Sequence, residues 1–449
     1  MKKSTVVLLF CLALAGCSSD DGQKPVVTSE TSQSSKIPEY TDLLSKNHLI
    51  GEQPEKALPK APRSTPTNNP GKTIAEYRKL LSVTRLHAVE AFNGRAYTWA
   101  PQGQSGMWLG HSDAAVDAPR AINSDDRKIS LEISGEGENQ IVSLAAAVEK
   151  AGPWKAYLKT ALVTSQGTLY TWTQKTEGNL FGGFTINPIE PVKALAGKKV
   201  TDVAFGSDYY AAVTAEGGLY TWGSVSSGKL GIPYHFWNSS FSDPQLVSFF
   251  ADAQPKIRVA SVVLSVDHTA AISDTRDLYT WGNGTSGKLG HGSEDIQYTP
   301  KKVESLRNVT SVSLGPDFSA AVTGDGKVYT WGAAGSKLGY AVGELVKEPQ
   351  QVKILEDMGL KIISVAAGAN QVAVITQNHE VYTWGDNSKN LLGRNGNELV
   401  PERVDFGKDV KIVAVDFASE YAVALGEDGK IYTWGSDRAS HGPVELHRE

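Results

Sequence analysis

Val381-Tyr382-Thr383-Trp384-Gly385 is one of seven copies of a single phrase, and its recurrence decides the architecture. Tyr-Thr-Trp begins at Tyr97, Tyr170, Tyr220, Tyr279, Tyr329, Tyr382 and Tyr432, with spacings of 73, 50, 59, 50, 53 and 50 residues. The unit is therefore about fifty residues long, with insertions before the second and fourth copies, a period that belongs to blades or solenoids. Within one period, Pro349-x-x-Val352, Lys361 to Gly368, Val372 to Thr376 and Val381 to Gly385 read as four short strands. Asn93-Gly94, Asp325-Gly326 and Asp428-Gly429 between the last two strands tolerate the positive φ of tight hairpins.

Four-stranded antiparallel units in seven copies predict an all-β, seven-bladed β-propeller in which each blade covers its neighbour's apolar face. The chain ends Gly442-Pro443-Val444-Glu445-Leu446, similar to the Pro-bearing strand at Pro300 and at Pro401. No such strand precedes the first copy, so the C-terminal strand is expected to complete the first blade. Proline suits an outer edge, where its missing N–H leaves no ladder bond unmade.

The phrases Leu219-Tyr-Thr-Trp-Gly-Ser-Val-Ser-Ser-Gly-Lys-Leu-Gly231 and Leu278-Tyr-Thr-Trp-Gly-Asn-Gly-Thr-Ser-Gly-Lys-Leu-Gly290, with His268-Thr-Ala-Ala-Ile upstream, resemble repeats of the regulator-of-chromosome-condensation family. The resemblance covers nearly all of residues 82–449 and implies a seven-bladed propeller. The first two copies depart from it, lacking the Gly after Trp99 and Trp172. Such a resemblance narrows the fold far more than the function.

The first residues are an address. Met1-Lys2-Lys3 and the apolar run Val6 to Leu14 form the charged and hydrophobic parts of an export signal, too short to span a bilayer. Leu14-Ala15-Gly16-Cys17 resembles the lipobox of bacterial lipoproteins, which implies lipidation of Cys17 and cleavage after Gly16. Residues 1–16 are read as signal peptide, 17–72 as lipidated Cys17 and flexible tether, and 73–449 as the propeller. Ser18 and Ser19 follow Cys17 rather than Asp, which favours outer-membrane sorting. A tether of roughly 50 residues has an r.m.s. span of about 40 Å. The expected location is the cell envelope, with the lipid bilayer held through the acylated N-terminus.

The 449 residues are 40% hydrophobic and 21% charged, with 44 Gly and 10 Trp, a globular composition. Formal net charge is −5, and loss of Lys2 and Lys3 with the signal makes it −7, the wrong sign for gripping phosphate backbones. No nucleic-acid partner is expected. The two cysteines, Cys11 and Cys17, lie in the first seventeen residues, which leaves the body without a disulfide or a Cys-based metal site.

Several motifs are decoys. Gly223-x4-Gly228-Lys229 and Gly282-x4-Gly287-Lys288 satisfy most of a phosphate-binding loop, but Leu230 and Leu289 stand where Ser or Thr would hold magnesium, and no helix follows. Asp386-x-Ser388-x-Asn390 hints at a calcium loop, but Leu391 replaces the required Gly and Asn397 the bidentate Glu. The nine His are scattered, and no nucleophile elbow occurs. No enzyme activity, metal or cofactor is expected.

Equivalent positions around the ring are more informative. Eleven residues before the repeat Tyr, five copies place Tyr209, His268, Phe318, Gln371 and Tyr421, preceded by Asp208, Asp267, Asp317, Asn370 and Glu420. These pairs fall at the strand-to-strand turn at one end of each blade. Acidic and aromatic groups together on one face would make anchors for another protein. A second candidate is the insertion Pro233 to Phe241, whose Tyr234, Phe236 and Trp237 form an aromatic loop. The other insertion, residues 125–155, carries a stretch from Ile141 to Lys150 that reads as a small helix.

The sequence thus points to a membrane-anchored, exported, non-catalytic protein-binding module acting through one face and its inserted loops. An envelope-assembly scaffold is the first rival. Nucleotide exchange on a small GTPase, implied by the resemblance, is the second, with residues 125–155 or 232–243 as its wedge.

Overall fold

A computed structural model of the chain describes residues 74–79, 81–83, 88–92, 95–99, 120–121, 140–152, 155–176, 184–186, 190–233, 239–340, 343–435 and 442–446. The chain divides into two units, Met1–Leu58 and Pro59–Glu449, and all of these residues belong to the second. The signal peptide, Cys17 and the tether lie outside the described residues.

Six antiparallel sheets have four strands each: blades A (Leu81–Ala121), C (Val200–Leu246), D (Val259–Lys302), E (Val309–Gln351), F (Ile362–Arg403) and G (Ile412–Leu446). In each, chain order is also spatial order, from an innermost first strand to an outermost fourth. The second strands are buried along their whole length, as in His268–Ser273, Phe318–Thr323 and Gln371–Thr376. A strand covered on both faces needs apolar or small residues at every position, which is why Ala-Ala and Ala-Val recur there.

The expectation of seven four-stranded blades is corrected to six. The remaining copy, Tyr170 to Trp172, lies in sheet B (Ile141–Pro191), which has five strands. Its third strand, Leu169–Thr176, runs past Trp172 and pairs with both Phe184–Ile186 and Glu190–Pro191. The cause is local. After Trp222, Trp281, Trp331, Trp384 and Trp434 of blades C to G stand Gly223, Gly282, Gly332, Gly385 and Gly435 at φ between 102° and 142°, a conformation open to glycine, and the chain turns away from the sheet. Thr173 follows Trp172, and the strand continues.

A second correction concerns closure. Val444–Leu446 pairs with Ile431–Gly435, so the C-terminal strand completes the last blade, G. Blade A has its own fourth strand, Arg120–Ala121, opposite Tyr97 and Thr98. The Pro-bearing strand is the outermost strand of the blade whose Tyr-Thr-Trp-Gly precedes it: Gln297–Lys302 pairs with Leu278–Gly282, and Val346–Gln351 with Val328–Gly332. Hence the repeat is phased one strand later than the sequence suggested. The ring closes by packing instead. Helix α1 (Ile74–Arg78) and Leu81–Val83 lie against the first strand of blade G, and Tyr77 and Leu81 share a core with Ile141, Leu144, Val413 and Val423.

The stretch read as a helix is also a strand, Ile141–Gly152, the innermost of sheet B, in register with Lys155–Thr164 through Leu144 opposite Leu162. Its Ala145, Ala146 and Ala147 favour a helix in isolation, but they let this strand approach Val200–Phe205 of blade C, and that packing decides.

At four junctions a blade is latched to the preceding one by its tryptophan. Trp281 Nε1 donates to Lys229 O of the preceding blade (3.0 Å), Trp331 to Lys288 O (2.8 Å), Trp384 to Lys337 O (3.0 Å) and Trp434 to Leu391 O (2.8 Å). All four rings are fully buried. The same loops are held from within, because Thr221, Thr280, Thr330 and Thr383 of Tyr-Thr-Trp donate to the carbonyls of Leu230, Leu289, Leu338 and Leu392. Ser-Gly-Lys-Leu-Gly is therefore a structural loop. A Cβ on Gly290 would lie 2.9 Å from Trp331 Nε1, so the glycine admits the indole.

Candidate functional site

The turns joining first and second strands all stand at one end of the blades. Gly206 N donates to Tyr209 O (2.9 Å), Ser265 to His268 (3.0 Å), Gly315 to Phe318 (3.0 Å), Gly368 to Gln371 (2.8 Å) and Ala418 to Tyr421 (2.8 Å). In four of them the third residue is pinned again: the carbonyls of Asp208, Asp267, Asp317 and Asn370 accept from Ser224, Asn283, Ala333 and Asp386. These backbones are held on both sides by the sheet.

The fourth residue of each turn points inward. Tyr209, His268 and Phe318 have no exposed surface, and Gln371 and Tyr421 are buried. Tyr209 Oη donates to His268 O across the junction of blades C and D (2.7 Å), and Gln371 Nε2 to Asp386 O (3.0 Å). Burial pushes the Tyr209 hydroxyl far above its ordinary pKa. The acids and Asn370 point outward: Asp208 is 35% exposed, Asp267 25%, Asp317 40% and Glu420 48%. The sequence had grouped each pair as one anchor, and the fold separates the two residues.

The acids are not a bare negative ring. Lys229 Nζ lies 2.5 Å from Asp208, Lys288 Nζ 2.8 Å from Asp267 and Lys337 Nζ 2.8 Å from Asp317, all three lysines being almost wholly buried. Two of them also reach the next blade, Lys288 to Pro316 O (3.1 Å) and Lys337 to Asn370 Oδ1 (3.0 Å). Lys389 of blade F approaches Glu420 of blade G at 3.5 Å, both exposed. The lysines that resembled a phosphate loop thus neutralise the turn carboxylates. Burial would push the Asp267 carboxyl up, and the polar groups of His268, Lys288 and Asn283 outweigh this and hold it well below the carboxylate range. Burial holds His268 below its usual pKa, hence neutral near pH 7.

Asp267, His268 and Ser319 follow one another in the order of a hydrolase triad, but the geometry denies it. His268 Nδ1 is 3.7 Å from Asp267 Oδ1, and Ser319 Oγ, fully buried, donates to Lys288 O at 2.7 Å. At the calcium-like stretch, Asp386 Oδ1 accepts from Ser388 N (2.8 Å), an ordinary polar turn. Among the described residues no group of three or more His, Cys, Asp or Glu is placed to hold a metal.

Sequence reasoning missed the residue after Leu-Gly. His291, Tyr340 and Arg394 occupy this place in blades D, E and F, and each reaches the carbonyl of the repeat Thr, at Thr280, Thr330 and Thr383. Arg394 also pairs with Glu402 at 3.0 Å. Three unlike side chains do one job, which no identity pattern would reveal. Also missed was the channel filler: Arg78 Nη1 donates to Ser311 Oγ (2.8 Å), and Lys79 Nζ lies 3.5 Å from Asp202, in a cavity of about 270 Å³ lined by the innermost strands. Of the aromatic insertion, Tyr234, Phe236 and Trp237 lie outside the described residues, and Phe241 packs against the core of blades C and D.

Family models for the regulator of chromosome condensation (RCC1) repeat match residues 216–272, 277–322, 325–375 and 378–425, and a second model of that repeat matches 309–336 and 362–390. The human E3 ubiquitin-protein ligase HERC2 is 33% identical over 293 residues, 63% of this chain and 5% of that protein, so the chain spans about a twentieth of this relative. The Arabidopsis thaliana ultraviolet-B receptor UVR8 is 27% identical over 375 residues, 82% of this chain and 78% of the receptor. Among solved structures, Prp20p from Saccharomyces cerevisiae superposes with a TM-score of 0.60 at 19% identity, covering 84% of this chain and 89% of that one. Human WBSCR16 gives 0.58 at 18% identity, covering 78% and 88%. With the latch, turn and loop geometry above, these matches make residues 216–425 a run of RCC1 repeats in an all-β propeller.

Proposed function

We propose that this propeller is a protein-binding module that acts without catalysis and is tethered to the cell envelope through lipidated Cys17. The observation that carries the reading is the turn face: Asp208, Asp267, Asp317, Asn370 and Glu420 stand outward on backbones pinned by the sheet, while their neighbours lock the blades together. A rigid face with half-exposed carboxylates loses little entropy on binding and favours a partner whose basic groups can share those carboxylates with the lysines. Prp20p, similar in fold, binds Gsp1p and histones and has been solved with Kap60, which supports protein binding as a use of this architecture.

The test is capture of a partner by the lipidated chain in intact cells. A variant carrying Asp267→Asn with Lys288→Met and Asp317→Asn with Lys337→Met removes two charge pairs together and leaves no buried lysine alone. It should fold and lose at least about tenfold in capture, as expected for two contacts to charged groups. Capture equal to wild type would contradict the turn face as the binding surface.

A further inference from the structure

The short segment from Ile74 to Lys79 touches the innermost strands of sheet B and of blades C, E, F and G. Helix α1 packs on Ile412–Phe417 of blade G and on Ile362–Ala367 of blade F. Tyr77 is buried in a core with Leu144 of sheet B and with Val413 and Val423 of blade G. Arg78 Nη1 crosses to Ser311 Oγ of blade E (2.8 Å), and Lys79 Nζ reaches Asp202 (3.5 Å) and Thr201 O (3.4 Å) of blade C. Lys79 O accepts from Leu144 N of sheet B (2.9 Å). Among the described residues no strand is exchanged between blades A and G, because each completes its own sheet. The segment therefore joins the two ends of the ring from inside the channel.

Its hold is incomplete. A helix of five residues has little stability of its own, so its shape depends on its seat. Arg78 carries several donors, yet among the described residues its guanidinium makes one hydrogen bond and no ion pair. Burial pulls its pKa below the usual value, and Asp416 and Asp202 oppose this through space. Seating a guanidinium with so few partners costs free energy, which the apolar burial of Tyr77 must exceed. We propose that Tyr77-Arg78-Lys79 is a displaceable clasp, a ligand carried by the chain itself, whose withdrawal from the channel opens the ring between blade G and sheet B. All residues before Ile74 are joined to the blades through this helix, so a pull on the N-terminus acts on the clasp before it acts on any blade. The inference concerns the channel and stands apart from the turn-face reading.

The test is amide hydrogen exchange on the full-length chain from which only residues 74–79 are deleted. Exchange in Ile412–Phe417 of blade G and in residues 141–146 of sheet B should quicken at least about tenfold, whereas Phe318–Thr323 of blade E should exchange as in the wild type. The capped peptide acetyl-Ile-Ala-Glu-Tyr-Arg-Lys-amide, the sequence of residues 74–79, should restore the lost protection saturably. The same peptide with alanine in place of its tyrosine should not. Tyr77→Ala in the undeleted chain should quicken the same two strands by a smaller factor, and it decides the matter if the deleted chain does not fold. Unchanged exchange in blade G and sheet B, or a rise spread evenly over all blades, would overturn the proposal. So would a folded deletion variant whose protection the peptide does not restore, because the segment would then be no ligand of the channel.

Discussion

Trp331→Ala is expected to cost about 3–5 kcal/mol, measured as a fall in the denaturant midpoint. Trp331 is fully buried between blades D and E, and its indole N–H holds Lys288 O at 2.8 Å. Truncation therefore removes the largest side chain at that junction, leaves a cavity and releases one latch. Trp331→Phe should cost less, because Ser319 Oγ still donates to Lys288 O at 2.7 Å and the carbonyl is not orphaned. Trp222→Ala should cost less than Trp331→Ala, because the Trp222 ring is 8% exposed where Trp331 has no exposed surface, and it forms no latch among the described residues. A cost at Trp222 equal to that at Trp331 would mean that the junctions are equivalent.

The second large effect is an asymmetry. Asp267→Ala should destabilise by about 3–5 kcal/mol, whereas Lys288→Met should cost well under half of that. Lys288 is almost wholly buried, and Asp267 is its only carboxylate partner among the described residues. Removing the acid strands an ammonium that keeps only Pro316 O. Removing the lysine leaves Asp267 with Asn283 Nδ2 at 2.7 Å and a quarter of its side chain in water, while methionine fills the space. Thermal or denaturant unfolding of the two variants side by side decides it. Equal costs would mean that the lysine is solvated and the pair contributes little. The same asymmetry explains why single acid-to-alanine changes cannot separate binding from folding on this face.

Much of the fold was legible because the repeat is read by period. Seven Tyr-Thr-Trp phrases, the turn pairs and the Pro-bearing strands mark most of the strands in the sequence itself. What failed did so for local reasons. The Pro-bearing strand looks the same whether it opens one blade or ends another, so the phase and the closing strand were misread, and only pairing such as Thr433 with Val444 decides. Ala145 to Ala147 carry helix propensity, which the contact with blade C overrides. Thr173 in place of glycine is visible in the sequence as a departure from the phrase, but its consequence, a strand that runs on, follows from the positive φ that the five glycines adopt.

The site was half legible. Spacing alone put Asp208, Asp267, Asp317, Asn370 and Glu420 on one face, because equivalent turns of a repeat must fall together. It could not tell outward from inward, since Tyr209 or Phe318 at a turn reads equally as anchor or as wedge. The lysines were invisible as partners: Lys288 is twenty-one residues from Asp267, and its resemblance to a phosphate loop drew the reading elsewhere.

The central claim, that the turn face is the surface on which another protein is bound, is tested most directly by placing a photo-crosslinking residue at Val266 or at Ser419, both exposed on that face, and at Tyr298 on the outer strand of blade D. With the full-length chain in intact cells, the account predicts that one protein is crosslinked from Val266 and Ser419 and is absent from Tyr298. The same protein from all three positions, or a partner from Tyr298 alone, would contradict it.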